Sequence, residues 1–125
     1  MQMDFQSEKP IYMQIASEME NAIFISAFAE EEQVPSTTEL STRLKINPAT
    51  VMKGMNVLVE RGILYKKRGV GMFVKEGAVD RIRKDRQARF FENYVAHTLE
   101  EARRLGLTLE ELTALVERGY ENEQN

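Results

Sequence analysis

The 125-residue chain has no cysteine and a single histidine. Without cysteine it can form no disulfide, no thiolate metal site and no cysteine nucleophile. One histidine, His97, cannot build a zinc site of the usual kind, so no metal is expected and His97 reads as a helix-surface or interface residue. No run of about 18 apolar residues occurs, so no membrane span is expected. Residues Met1 to Lys9 are polar with charges of both signs, unlike the apolar core of a secretory leader. These absences suit a cytoplasmic protein. No glycine-rich phosphate loop, nucleophile elbow or metal-ligand cluster stands out either, and the expectation is neither an enzyme nor a cofactor carrier.

What is there is enough for a packed core in one domain plus a short appendage: 42% of residues are hydrophobic and 30% charged. The net charge of −3 argues against a nucleic-acid binder until its layout is considered. Residues 43–89 carry 13 Lys and Arg against 4 Asp and Glu, a local charge of +9. The rest of the chain carries −12. A basic segment concentrated in an acidic chain is the electrostatic footprint of a DNA-binding surface. A charge run alone more often marks a solvated face, so its position among the elements decides.

Ile11, Ile15, Met19 and Ile23 recur every four residues and predict a first helix over about Pro10 to Phe28. Ser36-Thr37-Thr38-Glu39 is a capping box opening a short second helix with Leu40 and Leu44 inward. Asn47 and Pro48 then give a second start signal, an N-cap followed by a first helical residue. The third helix turns Val51, Met55 and Leu58 inward, with Met52 and Val59 flanking them, and closes at Gly62. Two helix starts about eleven residues apart across a tight turn have helix-turn-helix spacing. Residues 63–67 and 72–75 read as the strands of a hairpin, with 68–71 as its turn. A long helix follows, with Val79, Ile82, Arg86, Phe90, Tyr94, Thr98, Ala102 and Leu105 along one face and Phe91, Val95 and Leu99 beside it, ended by Gly106. Thr108-Leu109-Glu110-Glu111 caps a last helix with Leu109, Leu112, Leu115 and Val116 inward, ending near Gly119 before a polar tail. The predicted class is mainly α with a small β-hairpin: a winged helix-turn-helix domain over residues 1–77 and a two-helix dimerisation tail over 78–125.

In such a domain the N-terminal turn of the second helix of the pair enters the major groove. Asn47, Ala49, Thr50 and Lys53 face outward there, with Asn56 further along. Thr50 can offer its hydroxyl to a phosphate or base edge, Ala49 can touch a thymine methyl, and Lys53 can neutralise a phosphate or reach guanine. Ser36 and Thr38 stand at the start of the preceding helix. The wing adds Lys67, Arg68 and Gly69, with Arg68 at a tip that can enter the minor groove. Taken singly, Ser36, Asn47 and Thr50 are as well explained as caps and surface residues, and Lys66 and Lys67 as protection of a sheet edge. As a set beside a basic hairpin they point to double-stranded DNA.

These runs, Pro-Ile-Tyr-Met-Gln-Ile at 10–15, Val-Pro-Ser-Thr-Thr-Glu-Leu at 34–40, Ile-Asn-Pro-Ala-Thr-Val at 46–51 and Arg-Gly-Val-Gly-Met-Phe-Val at 68–74, together resemble a GntR-type regulator. The segment Asn-Pro-Ala-Thr-Val-Met and the short tail are most similar to its YtrA subfamily. The resemblance covers about residues 5–76 by motif. It implies a winged helix-turn-helix, dimerisation through the C-terminal helices, a palindromic operator and, in the YtrA group, control of a neighbouring operon that often encodes an ABC-type transporter. Two positions depart from it. Thr38 stands where the family usually has a DNA-contacting arginine, and Glu30-Glu31 stand where it usually has a Pro-Gly turn, a place where a non-glycine residue is strained if φ is positive.

The tail is too apolar on one side to stand alone. Phe90, Phe91, Tyr94, Val95, Leu99 and Leu112 need a cover, and a two-fold partner supplies one while matching two DNA half-sites. A helical hairpin of this size leaves little room for a sensor pocket, so a small-molecule effector would have to bind in a small aromatic cavity between protomers. The basic start of the long helix, Arg81, Arg83, Lys84, Arg86 and Arg89, either flanks DNA or pairs with the acidic end of a partner's tail. The function expected is a sequence-specific transcriptional regulator, a repressor in the first instance. The competing expectation is a winged-helix protein-interaction module with weakened DNA binding, which Thr38 and the Glu30–Glu32 run favour.

Overall fold

The computed structural model describes residues 1–123. They fold as two compact units, one spanning Met1–Asp85 and one beginning at Arg86.

The first unit opens with α1 (Ile11–Phe24). The helix stops four residues short of Phe28 because the chain turns over at Ser26, whose φ is +62°. Gln14 is the buried polar residue of this unit and its amide is fully used. It accepts from the Asp4 N–H at 2.7 Å and donates to the carbonyls of Asp4 and Lys9 at 2.8 and 2.9 Å, tying the N-terminal arm to α1. Such pairing removes the cost of burying an amide.

The capping box predicted for α2 (Thr37–Leu44) is formed: the Ser36 hydroxyl accepts from the Glu39 N–H at 3.0 Å, and the Ser36 N–H donates to the Glu39 carboxylate at 3.3 Å. Lys45 ends this helix in the left-handed region, φ +57°. The tight turn is then pinned by the Ser41 hydroxyl donating to the Ile46 carbonyl at 2.6 Å. Asn47 caps α3 (Pro48–Glu60) by accepting from the Ala49 N–H at 2.8 Å.

Helices α1 and α3 cross at close range. A Cβ on Gly54 would lie 2.6 Å from the Tyr12 carbonyl oxygen and 3.1 Å from Ile15 side-chain carbons. Only glycine lets the backbones approach so nearly. The crossing buries Ile15, Met19 and Ile23 of α1 against Val51, Met55 and Leu58 of α3. Leu40, Ile46, Ile63, Leu64, Val74, Ala78 and Ile82 complete the same core.

The hairpin pairs β1 (Leu64–Lys67) with β2 (Gly71–Val74) antiparallel, Leu64 opposite Val74 and Lys67 opposite Gly71. Its β2 edge is covered by the segment before α2. Glu31 N–H donates to the Val74 carbonyl at 2.7 Å, Val74 N–H to Glu32 at 2.9 Å and Val34 N–H to Met72 at 3.0 Å. This third strip of pairing was not expected from the sequence, because Glu30–Gln33 has no apolar alternation to announce a strand.

The expected turn strain is present as well. Glu31 adopts φ +71°, the conformation that favours glycine. Its carboxylate accepts from the Tyr65 hydroxyl at 2.6 Å. That bond, together with the backbone bond to Val74, holds the strained residue in place. The first two turns of α4 (Ala78–Phe90) return across this unit, burying Ala78 and Ile82.

In the second unit the long helix is not continuous. After α4 comes a π-helical turn, Phe91–Val95, and then α5 (Ala96–Arg104). The Thr98 hydroxyl donates to the Tyr94 carbonyl at 2.8 Å, competing with the backbone ladder just past the widened turn. One extra residue per turn rotates everything downstream by about 100°. Of the expected stripe, Ile82 and Ala102 are buried, while Phe90 and Tyr94 before and within the π turn and Thr98 and Leu105 after it are exposed; Val95 and Leu99, expected beside the stripe, are half-buried.

Thr108 and Glu111 form the second capping box, at 3.1 and 3.0 Å, and open α6 (Leu109–Glu123). This helix runs through Gly119 rather than ending there, because nothing at Gly119 calls for a positive φ. Of the polar tail expected after Gly119, residues 124–125 lie outside the described residues. No residue of α6 is fully buried, and Leu109, expected to face inward, is 77% exposed.

Candidate nucleic-acid interface

The face that matters is set by the start of α2, the outer side of α3 and the hairpin. On one side of α3, Ala49, Met52 and Lys53 are exposed, Met52 and Lys53 lying three and four residues after Ala49, with Thr50 and Asn56 half-buried. Asn47 is exposed, but its side-chain oxygen is occupied by the cap. Ser36 is half-buried and committed to its capping box, whereas Thr38 is exposed on the outside of α2.

Lys53 does not extend freely: its ammonium lies over the Tyr12 ring, 4.1 Å from the centroid. An aromatic face holds a cation in this way by its quadrupole, while leaving the far side of the ammonium open. On the hairpin, Lys67 lies 4.4 Å from the Phe73 ring centre and 6.0 Å from that of Tyr65, two rings that stack at 5.8 Å. Arg68 and Gly69 form the exposed tip, closed by the Val70 N–H donating to the Lys67 carbonyl at 2.9 Å, with Gly69 at φ +76°. The Gln33 amide donates to the Val70 carbonyl at 3.1 Å and packs where a side chain on Gly71 would sit, so the tip is braced from beneath.

Between these elements lies a groove of about 340 Å³, lined by Ser36 and Thr37 of the α2 start, Met52 of α3, and Lys66, Lys67 and Arg68 of the hairpin. Six of the nine expected DNA-contacting residues thus fall on this groove or on the exposed side of α3, and a seventh, Asn47, is the exposed N-cap of α3. Thr50 is half-buried at the helix margin and Thr38 lies on the outer side of α2, against Ser36, Glu39, Thr42 and Arg43. Sequence reasoning missed three participants. Met52, expected to flank the core, is 38% exposed and lines the groove. Thr37 sits beside it, its hydroxyl 3.9 Å from the Met52 sulfur. Tyr12 was absorbed into the α1 pattern. Helical spacing from Ala49 could have exposed Met52; nothing in the pattern of α1 singles out Tyr12.

Within the basic α4 start, Lys84 and Arg83 reach Asp80 at 3.0 and 3.6 Å, and Arg81 reaches Asp85 at 3.6 Å. In the second unit, Phe90, Phe91 and Tyr94 are exposed, the last two at 58% and 63%, while Val95, Leu99 and Leu112 are half-buried.

A family model described as bacterial regulatory proteins of the gntR family matches residues 11–74, the segment that builds this face. The chain belongs to the gntR family. Two curated relatives come from Bacillus subtilis. The uncharacterized HTH-type transcriptional regulator YhcF is 33% identical over 110 residues, 86% of this chain and 88% of that one. The HTH-type transcriptional repressor YtrA is 35% identical over 77 residues, 62% of this chain and 59% of that one. Among solved structures, a GntR-family regulator from Bacteroides thetaiotaomicron aligns with TM-score 0.75 at 30% identity, covering 92% of this chain and 99% of that one. The DNA-binding domain of AraR, solved in complex with operator ORE1, aligns with TM-score 0.53 at 29% identity over 59% of this chain and 93% of that one. This gntR-family chain is therefore a winged helix-turn-helix transcriptional regulator of a DNA-binding family, with the recognition elements in its first unit. Among the described residues, no helix is long and apolar enough to cross a membrane.

Proposed function

We propose that the chain works in the cytoplasm as a homodimer on a palindromic operator and represses transcription there. Residues 1–77 serve as the DNA-reading domain and 78–125 as the dimerisation tail. One observation carries this reading: the outward residues of α3 lie beside a groove whose opposite wall is the basic hairpin. An exposed recognition-helix face flanked by cations is what reading bases while gripping phosphates requires.

In this reading Ala49 and Thr50 meet base edges near the N-terminus of α3. Lys53, steadied by Tyr12, takes a phosphate or a guanine. Ser36, Thr38 and Asn47 contribute hydrogen bonds to the backbone of the DNA, and the Lys67–Arg68–Gly69 tip follows the adjacent minor groove. Phe90, Phe91, Tyr94, Val95, Leu99 and Leu112 meet their counterparts in a second copy, since exposed aromatics in this number otherwise stand in water. Repression follows the name of the YtrA relative. An effector, if the tail takes one, would enter among those aromatic residues.

The test is fluorescence anisotropy of the full chain with duplex DNA from its own promoter region, beside a scrambled duplex, at two salt concentrations. A protein neutralising about six phosphates loses about a thousandfold in affinity between about 50 mM and 200 mM salt. Selective, steeply salt-dependent binding supports the operator reading. A flat salt response with no preference would replace it with a protein-interaction role, to which the exposed Glu30–Glu32 run would then be relevant.

A further inference from the structure

The outward side of α3 contains an unusual element for a surface beside a basic groove: an apolar pair. Ala49 and Met52 are three residues apart on the exposed side, and Met52 leaves 38% of its surface in solvent. A long thioether commonly goes inward, and the neighbouring Met55 does so completely. Met52 instead stands at the mouth of the groove, its sulfur 3.9 Å from the Thr37 hydroxyl. The nearest lysines of α3 and the wing are drawn onto aromatic rings to the sides, Lys53 over Tyr12 at 4.1 Å and Lys67 over Phe73 at 4.4 Å. Ala49 and Met52 thus present methyl, methylene and sulfur on the exposed side of α3, beside the Thr37 hydroxyl.

We propose that Met52 is a specificity-determining residue which, with Ala49, packs on the C5-methyl group of a thymine in each half-site; the assignment rests on the operator reading above. The chemistry of the major groove selects the base. Thymine alone offers an apolar group there, while adenine, guanine and cytosine show donors and acceptors. An apolar pair set against those edges would strip them of water without replacing the lost hydrogen bonds. Met52 thus favours thymine by attraction and disfavours the other bases by desolvation. Removing one buried methyl group costs about fourfold in affinity.

The experiment uses the full chain. A preferred duplex is selected from a pool randomised across both half-sites, and each thymine of one half-site is then replaced singly by deoxyuridine, which lacks only the methyl. Wild type loses about fourfold at one position. Met52→Ala binds the thymine duplex more weakly and shows no further loss with uracil at that position, whereas Met52→Leu keeps the thymine preference. The uracil series on wild type needs no substitution in the protein, so it reads the contact whatever Met52→Ala does to folding. A preferred duplex whose uracil losses are absent in wild type, or identical in wild type and Met52→Ala, overturns the Met52 assignment and leaves the operator reading standing. Recovery of no preferred duplex overturns both.

Discussion

The same substitution, glycine to alanine, should have opposite signs at two helical positions of this chain. At Gly54 an added Cβ meets the Tyr12 carbonyl oxygen at 2.6 Å, and carbons of Ile15 at 3.1 Å. The obstacle is backbone, so no side-chain rotation relieves it; α1 and α3 must separate by several tenths of an ångström. Overpacking of a close-packed core costs about 1–3 kcal/mol. Alanine returns about 1 kcal/mol of helix propensity. The net is a loss of about 1 kcal/mol, or about 4–8 °C in Tm for a unit of this size. At Gly119 a Cβ meets nothing within 4 Å and φ is negative, so only the propensity gain of up to about 1 kcal/mol remains. Thermal unfolding followed by circular dichroism compares both variants with wild type. Because the α1–α3 crossing also sets Lys53 over Tyr12, Gly54→Ala should weaken DNA binding too, measured by anisotropy. A Gly54→Ala protein as stable as wild type would show that the helices re-seat without cost and refute the close-packing argument. Destabilisation by Gly119→Ala would place another chain against that face of α6.

Lys53→Ala and Arg68→Ala should each weaken duplex binding and lower the salt slope by about 1 where a phosphate contact is lost. Both side chains are exposed, so far-ultraviolet circular dichroism should stay as in wild type, and loss of helicity would make them structural instead. Phe91→Asp, which puts a charge on the exposed aromatic face of the tail, should yield monomers in analytical ultracentrifugation; an unchanged dimer would remove Phe91 from the interface. The Tyr65 hydroxyl is held above its ordinary 10.0, first by donating to the Glu31 carboxylate, then by loss of hydration and last by that neighbour's charge. A raised folded value means the tie is complete below pH 10 and is lost as pH rises through the raised value. Glu31→Gln should bring one phenol back toward 10.0 in a tyrosinate absorbance titration, and an unmoved curve would rule out the coupling.

Much of the first unit was legible because its signals are local. Ser36–Glu39 and Asn47–Pro48 announce helix starts by the hydrogen bonds their side chains can make, and both were found in place. The apolar residues of α1 and α3 recur with helical period and become the core. What was not legible depends on contacts distant in sequence. The pairing of Glu31–Val34 with β2 uses backbone groups, which any residues can supply. Met52 reads as inward by residue type, and only its spacing from Ala49 points outward, to the side where Thr37 and the wing stand. The π turn at Phe91–Val95 is the instructive case. A period of 3.6 carried through it puts Thr98, Ala102 and Leu105 on one face, yet of the three only Ala102 is buried, and Val95 and Leu99 beside them are half-buried.

The two departures from the family pattern then have different consequences. The strain at Glu31 is compensated within the fold, since the side chain that brings the left-handed φ also supplies the bond to Tyr65. At Thr38, exposed at the first turn of α2 beside Glu39 and Thr42, the cation on the same surface is Arg43, in the last turn of the helix. On the operator reading proposed above, an arginine lost there takes away a phosphate contact common to every DNA sequence and leaves discrimination to α3, so the expected outcome is modest affinity with selectivity set by the bases that Ala49, Met52 and Lys53 meet. Thr38→Arg tests this directly. It should tighten binding to preferred and scrambled duplexes alike and steepen the salt slope by about 1, so that the ratio between them stays nearly constant. If instead the preferred duplex alone gains, position 38 reads bases, and the division of labour between a gripping α2 and a reading α3 is wrong.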